Sequence, residues 1–133
     1  FCEDSIVRGT QLTDIIRRLF DHGALEIHMR PACPPLMYTC KFLNFSRSRS
    51  ELDLAARKAI LDLAGTDEVD LDAYGDPDSA HYAAMVERIS QRIELTSLRY
   101  QRLDAMVEAI GLPREHLCTY CWNGEELHRR QIE

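Results

Sequence analysis

The sequence has no long apolar run and few basic residues, and these two shortages exclude whole classes of protein. No stretch approaches the roughly 20 apolar residues that cross a bilayer, and neither end has the pattern of a signal peptide. Sixteen Lys and Arg stand against 22 Asp and Glu, which gives a net charge of −6. A broad basic surface for nucleic-acid backbones is therefore not expected. We expect neither a membrane nor a nucleic-acid partner.

A disulfide framework is also not expected. Five cysteines are an odd number, and the sequence has no secretory signal, so thiols or metal ligands in a cytoplasmic protein are the prediction. The chain begins at Phe1 without an initiator Met, and its first motif follows almost at once. We therefore expect a fragment of a longer protein. The apolar content of 45% indicates an ordinary globular chain with one modest core.

Apolar periodicity predicts an α/β beginning and a helical remainder. A helix is predicted over residues 10–22, ended by Gly23, and a strand over residues 24–29, ended by Pro31. A loop, a helix and a strand in this order form the second half of a βαβ unit. Three more helices are predicted, over residues 52–63, 76–94 and 103–110.

Two polar segments interrupt these elements. The Arg-Ser run at residues 46–50 is predicted to be a solvated loop. Residues 66–78 carry six acids and no base, which raises the question of a calcium loop. The pattern does not match, because Tyr74 stands where a third ligand is needed and His81 where the bidentate Glu is needed. A solvated linker is therefore predicted there.

The first ten residues are the most informative part of the chain. Two acids, Glu3 and Asp4, precede a short loop that ends in Gly-Thr and opens a helix. The hydroxyls of Ser5 and Thr10, the loop amides and the positive end of the helix can converge on a phosphate, and Gly9 permits close backbone approach. The acids can then bind ribose hydroxyls or Mg²⁺. The residues thus predict a sugar-phosphate site.

This segment resembles the phosphoribosyl-pyrophosphate (PRPP) loop of type I phosphoribosyltransferases. Residues 4–10 (DSIVRGT) are similar to the form found in glutamine PRPP amidotransferases. The resemblance implies Mg²⁺ at Glu3 and Asp4, and it implies PRPP contacts from Glu3, Asp4, Ser5, Ile6, Val7, Arg8, Gly9 and Thr10. The usual acid pair of that family is Asp-Asp, so this chain has one extra methylene at its first carboxylate, as other type I phosphoribosyltransferases do.

Cysteine is the second informative residue type. Cys118 and Cys121 have the spacing that lets two thiolates hold one metal centre, although a redox pair or two buried thiols would show the same spacing. Cluster-bearing glutamine PRPP amidotransferases have a Pro-Pro turn followed by a cysteine ligand and a late C-x-x-C followed by an aromatic residue and Gly. Residues 34–40 (PPLMYTC) and 118–125 (CTYCWNGE) are similar to these, and residues 103–113 resemble the helix before that pair.

The resemblance implies a 4Fe-4S cluster held by Cys40, Cys118, Cys121 and a fourth ligand upstream of this fragment. Cys2 and Cys33 match no ligand position and are expected to be small buried residues. An alternative is a non-catalytic interaction module that binds zinc through the three cysteines and His116, or one that binds PRPP without turning it over. The five histidines otherwise show no Ser/His/Asp or paired-His spacing, so they receive no role.

The resemblance also implies a fold and an activity. Residues 1–50 would be the end of a type I phosphoribosyltransferase α/β domain, and residues 51–133 a mostly helical segment with the cluster ligands. The implied enzyme is an amidophosphoribosyltransferase, a homo-oligomer that makes phosphoribosylamine from PRPP and glutamine-derived ammonia in the first step of purine synthesis. The fragment alone is expected to be inactive. Residues 62–96 are longer than the corresponding connection in typical members of that family. They are expected to add surface packing, with a subunit contact or a cover over the cluster as alternatives.

Overall fold

The structure is a computed structural model that describes residues 1–44 and 50–126. All but the last residue of the Arg-Ser run lies outside the described residues. No described helix combines the length and the apolar surface that crossing a bilayer requires. The helices and strands are, in chain order, β1 Cys2–Glu3, α1 Thr10–Asp21, β2 His28–Pro31, α2 Ala55–Ala64, α3 Leu71–Gly75, α4 Ala80–Ile93, β3 Ser97–Leu98, α5 Leu103–Ile110 and α6 Tyr120–Asn123.

Three short parallel strands form the sheet, with β2 in the middle. Strand β2 begins later than predicted, at His28, and ends with Pro31 as its last residue. The amides of Arg30 and Ala32 donate to the carbonyls of Phe1 and Glu3, at 3.0 and 2.8 Å, so the parallel ladder needs no N–H from the proline between them. The helix α1 connects β1 to β2, as the βαβ prediction requires.

The third strand, β3, was not expected in a helical segment. Its residue Leu98 lies opposite Met29 of β2, and the Arg99 amide donates to the Met29 carbonyl at 3.2 Å. A strand of two residues carries no periodicity that can be read from a sequence. Residues 51–126 are otherwise mostly helical, as expected. The core also contains residues from both sides of position 50, and the domain boundary at that position stays a prediction.

Helix α4 lies in the middle of the core and packs against α1, α2, α3 and β3. Its residues Met85, Ile89 and Ile93 follow one another at intervals of four, so they share one face, and all three are buried. The expectation that residues 62–96 add only surface packing is therefore wrong. The side chains that are almost completely buried are Ile16, Met29, Leu54, Ile60, Met85 and Ile89.

Capping groups place two helices differently from the prediction. Helix α4 begins at Ala80 instead of near position 76, because the Ser79 hydroxyl accepts a hydrogen bond from the Tyr82 amide at 2.9 Å. The acidic segment is not a linker throughout, since α3 forms within it and buries Tyr74 to 7% exposure. The helix predicted over residues 103–110 is confirmed as α5, which ends at Gly111 in the left-handed conformation.

Asp62 joins α2 to α4 through two arginines. Its carboxylate accepts hydrogen bonds from Arg88, at 2.7 Å, and from Arg92. Partial burial opposes ionisation, but the hydrogen bonds from the two arginines outweigh it and hold the pKa of Asp62 below its ordinary value. A carboxyl with a lowered pKa stabilises the fold above its unfolded pKa, and this stabilisation is lost as the pH falls through the folded pKa.

We expect Asp62→Asn to lower the free energy of unfolding by about 1 kcal/mol near neutral pH. Below about pH 3 the difference from the parent protein should shrink, because the parent carboxyl then also becomes neutral. Urea unfolding at the two pH values measures this. Asp67→Asn, at an exposed position, is the control and should change stability by less than about 0.5 kcal/mol. An equal loss from Asp62→Asn at both pH values would contradict the role of the charge.

Candidate functional site

A cavity of about 360 Å³ opens on the loop that connects β1 to α1. Six of the eight residues predicted to contact PRPP line it, namely Glu3, Ser5, Val7, Arg8, Gly9 and Thr10. Gly9 is the N-cap of α1 and has a φ of 80°, in the left-handed region that favours glycine. Because glycine has no side-chain oxygen to cap the helix, the amides of the first turn are left for another acceptor. We call residues 4–10 the phosphate loop.

The other two predicted contacts, Asp4 and Ile6, do not line this cavity. Asp4 is exposed, whereas Ile6 is 2% exposed and belongs to the core. Ile6 therefore anchors the phosphate loop and its side chain does not face the cavity. Ile6 thus holds the loop to the body of the protein, the six residues named above surround the opening, and Asp4 belongs to neither group.

The inner side of the phosphate loop is attached to two helices. The Val7 carbonyl accepts a hydrogen bond from the Ala55 amide, the first residue of α2, at 2.8 Å. This bond supplies an acceptor to the beginning of a helix that has no side-chain cap. Gly9 lies against α4, since an ideal Cβ at this position would be 3.3 Å from Cδ1 of Ile93. Glycine at position 9 thus permits close packing against α4 as well as the left-handed backbone conformation.

The two acids direct carboxylate oxygens toward the loop backbone. Oε1 of Glu3 accepts from the Asp4 amide at 3.1 Å, and Oδ1 of Asp4 accepts from the Ser5 amide at 2.7 Å. The second oxygen of each carboxylate takes no part in these two bonds and can act as a hard donor. Mg²⁺ is commonly held by one or two carboxylates together with substrate oxygens and water. The donor set therefore fits magnesium.

The C-terminal segment folds back over the Pro-Pro turn, as the cysteine prediction requires. The amides of Met37 and Tyr38 both donate to the Cys121 carbonyl, at 2.8 and 3.0 Å. The ring centroids of Tyr38 and Tyr120 are 5.5 Å apart, and the ammonium of Lys41 lies 4.3 Å from the Tyr120 centroid. We call this set of contacts the C-terminal clasp.

The clasp brings the predicted cluster ligands together. Cys40 accepts backbone hydrogen bonds from Phe42 and Leu43, at 3.4 and 3.2 Å. Burial opposes ionisation of Cys40, but these amides and a hydrogen bond with Cys121 lower its pKa. Burial, the nearby charge of Cys40, the hydrogen bond between the two thiols and the charge of Cys118 raise the pKa of Cys121 to about 12.

The three predicted ligands lie on two adjoining segments of the chain, Cys40 on one and Cys118 and Cys121 on the other. Within residues 1–44 and 50–126, no three His, Cys, Asp or Glu side chains are arranged to hold a metal ion. His116 is exposed and does not join the cysteines in such a group. The assignment of Cys40, Cys118 and Cys121 as cluster ligands stays a prediction.

Of the two remaining cysteines, Cys33 agrees with the expectation of a buried residue and Cys2 does not. Cys33 is buried, and burial raises its pKa. Cys2 is exposed, so the expectation of a buried residue is wrong there. It lies at the start of the outer strand β1, which gives it less cover than the central strand has.

Sequence reasoning missed a second cavity, of about 410 Å³, at the base of the clasp. Tyr38, Tyr82 and Trp122 line it, together with residues at the start of α5. Five separate parts of the chain meet there, within residues 34–38, 71–82, 101–104, 114 and 122–123, and no local pattern shows that they do. It is separate from the phosphate loop, because the two cavities share no lining residue.

The fold class is confirmed by a solved structure. The chain is similar to the glutamine PRPP amidotransferase from B. subtilis complexed with ADP and GMP, with a TM-score of 0.65 over 97% of this chain and 24% of that chain. At 23% sequence identity the likeness concerns the fold. The mixed α/β arrangement with a parallel sheet matches the phosphoribosyltransferase fold of that structure.

Curated relatives carry the name amidophosphoribosyltransferase, and no family model matches the chain. The relative from Methanothermobacter thermautotrophicus is 31% identical over 123 residues, which are 92% of this chain and 20% of the relative. The Synechocystis relative is 30% identical over 122 residues, 92% of this chain and 19% of the relative. The mouse relative is 30% identical over 131 residues, 92% of this chain and 24% of the relative. The chain spans about a fifth of the length of the curated relatives it matches.

We expect Gly9→Ala to destabilise the protein more than Gly65→Ala. Both glycines have left-handed φ values, 80° and 72°, so both variants lose about 1 kcal/mol to backbone strain. An added Cβ meets Ile93 at Gly9, whereas nothing lies within 4 Å at Gly65. Gly9→Ala should therefore lose about 1 kcal/mol more. Urea unfolding compares the two, and equal losses would show that contact with Ile93 does not constrain the loop.

Proposed function

We propose that this chain is the PRPP-binding part of an amidophosphoribosyltransferase. The whole enzyme would make phosphoribosylamine and pyrophosphate from PRPP and glutamine-derived ammonia, at the start of purine synthesis. The observation that carries the proposal is the cavity at the phosphate loop. Curated relatives that match 92% of this chain are named amidophosphoribosyltransferase. Five cysteines, an odd number, do not suit a disulfide framework, and we place the enzyme in the reducing cytoplasm. The activity would need the part of the enzyme that this chain does not span.

The phosphate loop would hold the 5′-phosphate of PRPP. The amides of residues 5–10 and the hydroxyls of Ser5 and Thr10 would donate to the phosphate oxygens, and the positive end of α1 would favour their charge. Binding by backbone groups explains why Ile6 and Val7, whose side chains offer no hydrogen bonds, occupy the middle of the loop. Their contacts with the core and with α2 keep the donors in place before the substrate arrives.

The two acids would hold the ribose and the metal. Displacement at the anomeric carbon passes through an oxocarbenium-like state, so fixing the sugar is the main contribution of these residues. Glu3 and Asp4 would accept hydrogen bonds from the ribose hydroxyls and would provide oxygens for Mg²⁺. The metal, when bound, would neutralise the charge that develops on pyrophosphate.

The cluster would fasten the C-terminal clasp. Cys118 and Cys121 would hold it from the C-terminal side, and Cys40 from the loop beneath. A cluster held in this way attaches a segment whose helix α5 has no buried residue. The backbone bonds from Met37 and Tyr38 to Cys121 would keep the thiols in register for it.

Asp4→Asn in the full-length protein should lower PRPP-dependent formation of phosphoribosylamine by about 100-fold, because a neutral amide cannot replace the charge of a metal-binding carboxylate. Glutamine hydrolysis should remain measurable, since that reaction does not use this carboxylate. Steady-state assays of the two reactions measure the split. Asp14→Asn, at an exposed position on α1, should leave both rates unchanged. If Asp4→Asn retains full phosphoribosyl transfer, the assignment of the site is wrong.

Cys118→Ser and Cys121→Ser should each remove iron, labile sulfide and the broad visible absorption from anaerobically purified full-length protein. Loss of the cluster should also speed proteolysis after Pro113, because the clasp then depends on its protein contacts alone. Cys2→Ser, outside the converging thiols, should keep a full complement of iron and sulfide. Retention of both elements in the first two variants, or zinc in the parent protein, would contradict the cluster assignment.

A further inference from the structure

The last turn of α4 contacts the phosphate loop directly. Ile93 is 2% exposed, and both Cδ1 and Cγ1 of its side chain would lie 3.3 Å from a Cβ at Gly9. The α-carbon of Gly9 therefore rests on this isoleucine. A cavity of about 100 Å³ adjoins the contact and is lined in part by Thr10, Thr13 and Ile89. Truncation of Ile93 would enlarge that cavity and leave space into which the loop can sink.

The next residue, Glu94, has an unusual conformation. It ends α4 with a φ of 67°, in the left-handed region where a residue with a side chain is disfavoured. A glycine would end the helix without strain, so capping alone does not explain a glutamate here. Its two oxygens accept from Nε and Nη2 of Arg17, at 2.9 and 2.6 Å. A residue that keeps a strained backbone and forms two hydrogen bonds through its carboxylate indicates a role for that side chain.

These two contacts attach α4 to the phosphate loop and to α1. Ile93 supports the loop at Gly9, where α1 begins, and Glu94 binds Arg17 two turns further along the same helix. The loop and α1 are thereby fixed relative to the core face of α4. We propose that Ile93 and Glu94 are positioning residues for the phosphate loop, setting the place of the Gly9–Thr10 peptide at the cavity. The inference rests on the proposed function, and it assigns loop support to a segment outside the motifs that carry the resemblance.

A core role alone predicts different behaviour from a positioning role. Ile60 of α2 is as buried as Ile93, and it lines neither of the cavities beside the loop. Ile93→Ala and Ile60→Ala thus remove the same atoms from the same core. Only the first of these removes the support beneath Gly9.

The test compares these variants in the full-length protein by hydrogen exchange and by calorimetric titration with Mg²⁺ and PRPP. Both should lower the melting temperature by similar amounts. In Ile93→Ala, amides of residues 5–10 should exchange about tenfold faster without ligand, and the Kd for PRPP should rise about tenfold because the donors are no longer held in place. Ile93→Val, which loses only Cδ1, should give a smaller change in both. Ile60→Ala should change neither.

Glu94→Gly supplies the second arm, because it relieves the backbone strain and removes the bond to Arg17. Faster loop exchange and weaker PRPP binding, despite an unstrained helix end, support a positioning role. Arg88→Gln, which removes an ion pair between α4 and α2 away from the loop, is the control and should leave loop exchange unchanged.

Each outcome of the comparison has a definite meaning. Equal loop exchange in Ile93→Ala and Ile60→Ala overturns the inference, and so does faster exchange with an unchanged Kd for PRPP. If the parent protein binds no PRPP while Ile93→Ala still loosens the loop, the proposed function fails and the structural support by α4 stands.

Discussion

The burial of one face of α4 is the constraint on which the rest of the structure depends. Met85, Ile89 and Ile93 place this face against the sheet and against α1 and α2. Full burial of such a side chain contributes about 2 kcal/mol, and the net stability of a domain is on the order of 10 kcal/mol. Helix α4 is thus in contact with β3, α1 and α2 at once.

The phosphate loop follows from this packing. Ile6 enters the core, Val7 gives its carbonyl to the first amide of α2, and Gly9 rests on α4. Three attachments within four residues fix the backbone, while Ser5 and Thr10 remain at the cavity. A loop held from its inner side can present its amides outward without first ordering them, which is the condition for tight binding of an anion by backbone groups.

The clasp shows the same dependence of chemistry on backbone contacts. The two hydrogen bonds to the Cys121 carbonyl and the aromatic contact between Tyr38 and Tyr120 bring Cys40 and Cys121 together. The opposite pKa shifts of the two thiols follow from their surroundings, since backbone amides surround one sulfur and burial dominates at the other. In the proposed cluster site, these contacts would hold Cys40 and Cys121 in place.

Local patterns in the sequence were sufficient for α1, α5 and the glycine at the end of the phosphate loop. Each depends on residues within one or two turns of each other, so periodicity, a helix stop and a left-handed glycine can be read directly. The motif around Cys118 and Cys121 was visible for the same reason. The convergence of these two residues with Cys40 was inferred from a resemblance, because their spacing says nothing about a residue nearly eighty positions away.

Only the tertiary structure decided where the remaining parts belong. The pairing of β3 with β2, the inclusion of Pro31 in a strand and the burial of α4 depend on partners far away in the chain. An apolar stripe on a helix predicts that one face will be buried, but it does not predict which residues will cover that face. The support of Gly9 by Ile93 joins residues 84 positions apart. Such contacts are selected by how whole elements fill a shared core, and that packing is a property of the folded chain instead of any local segment.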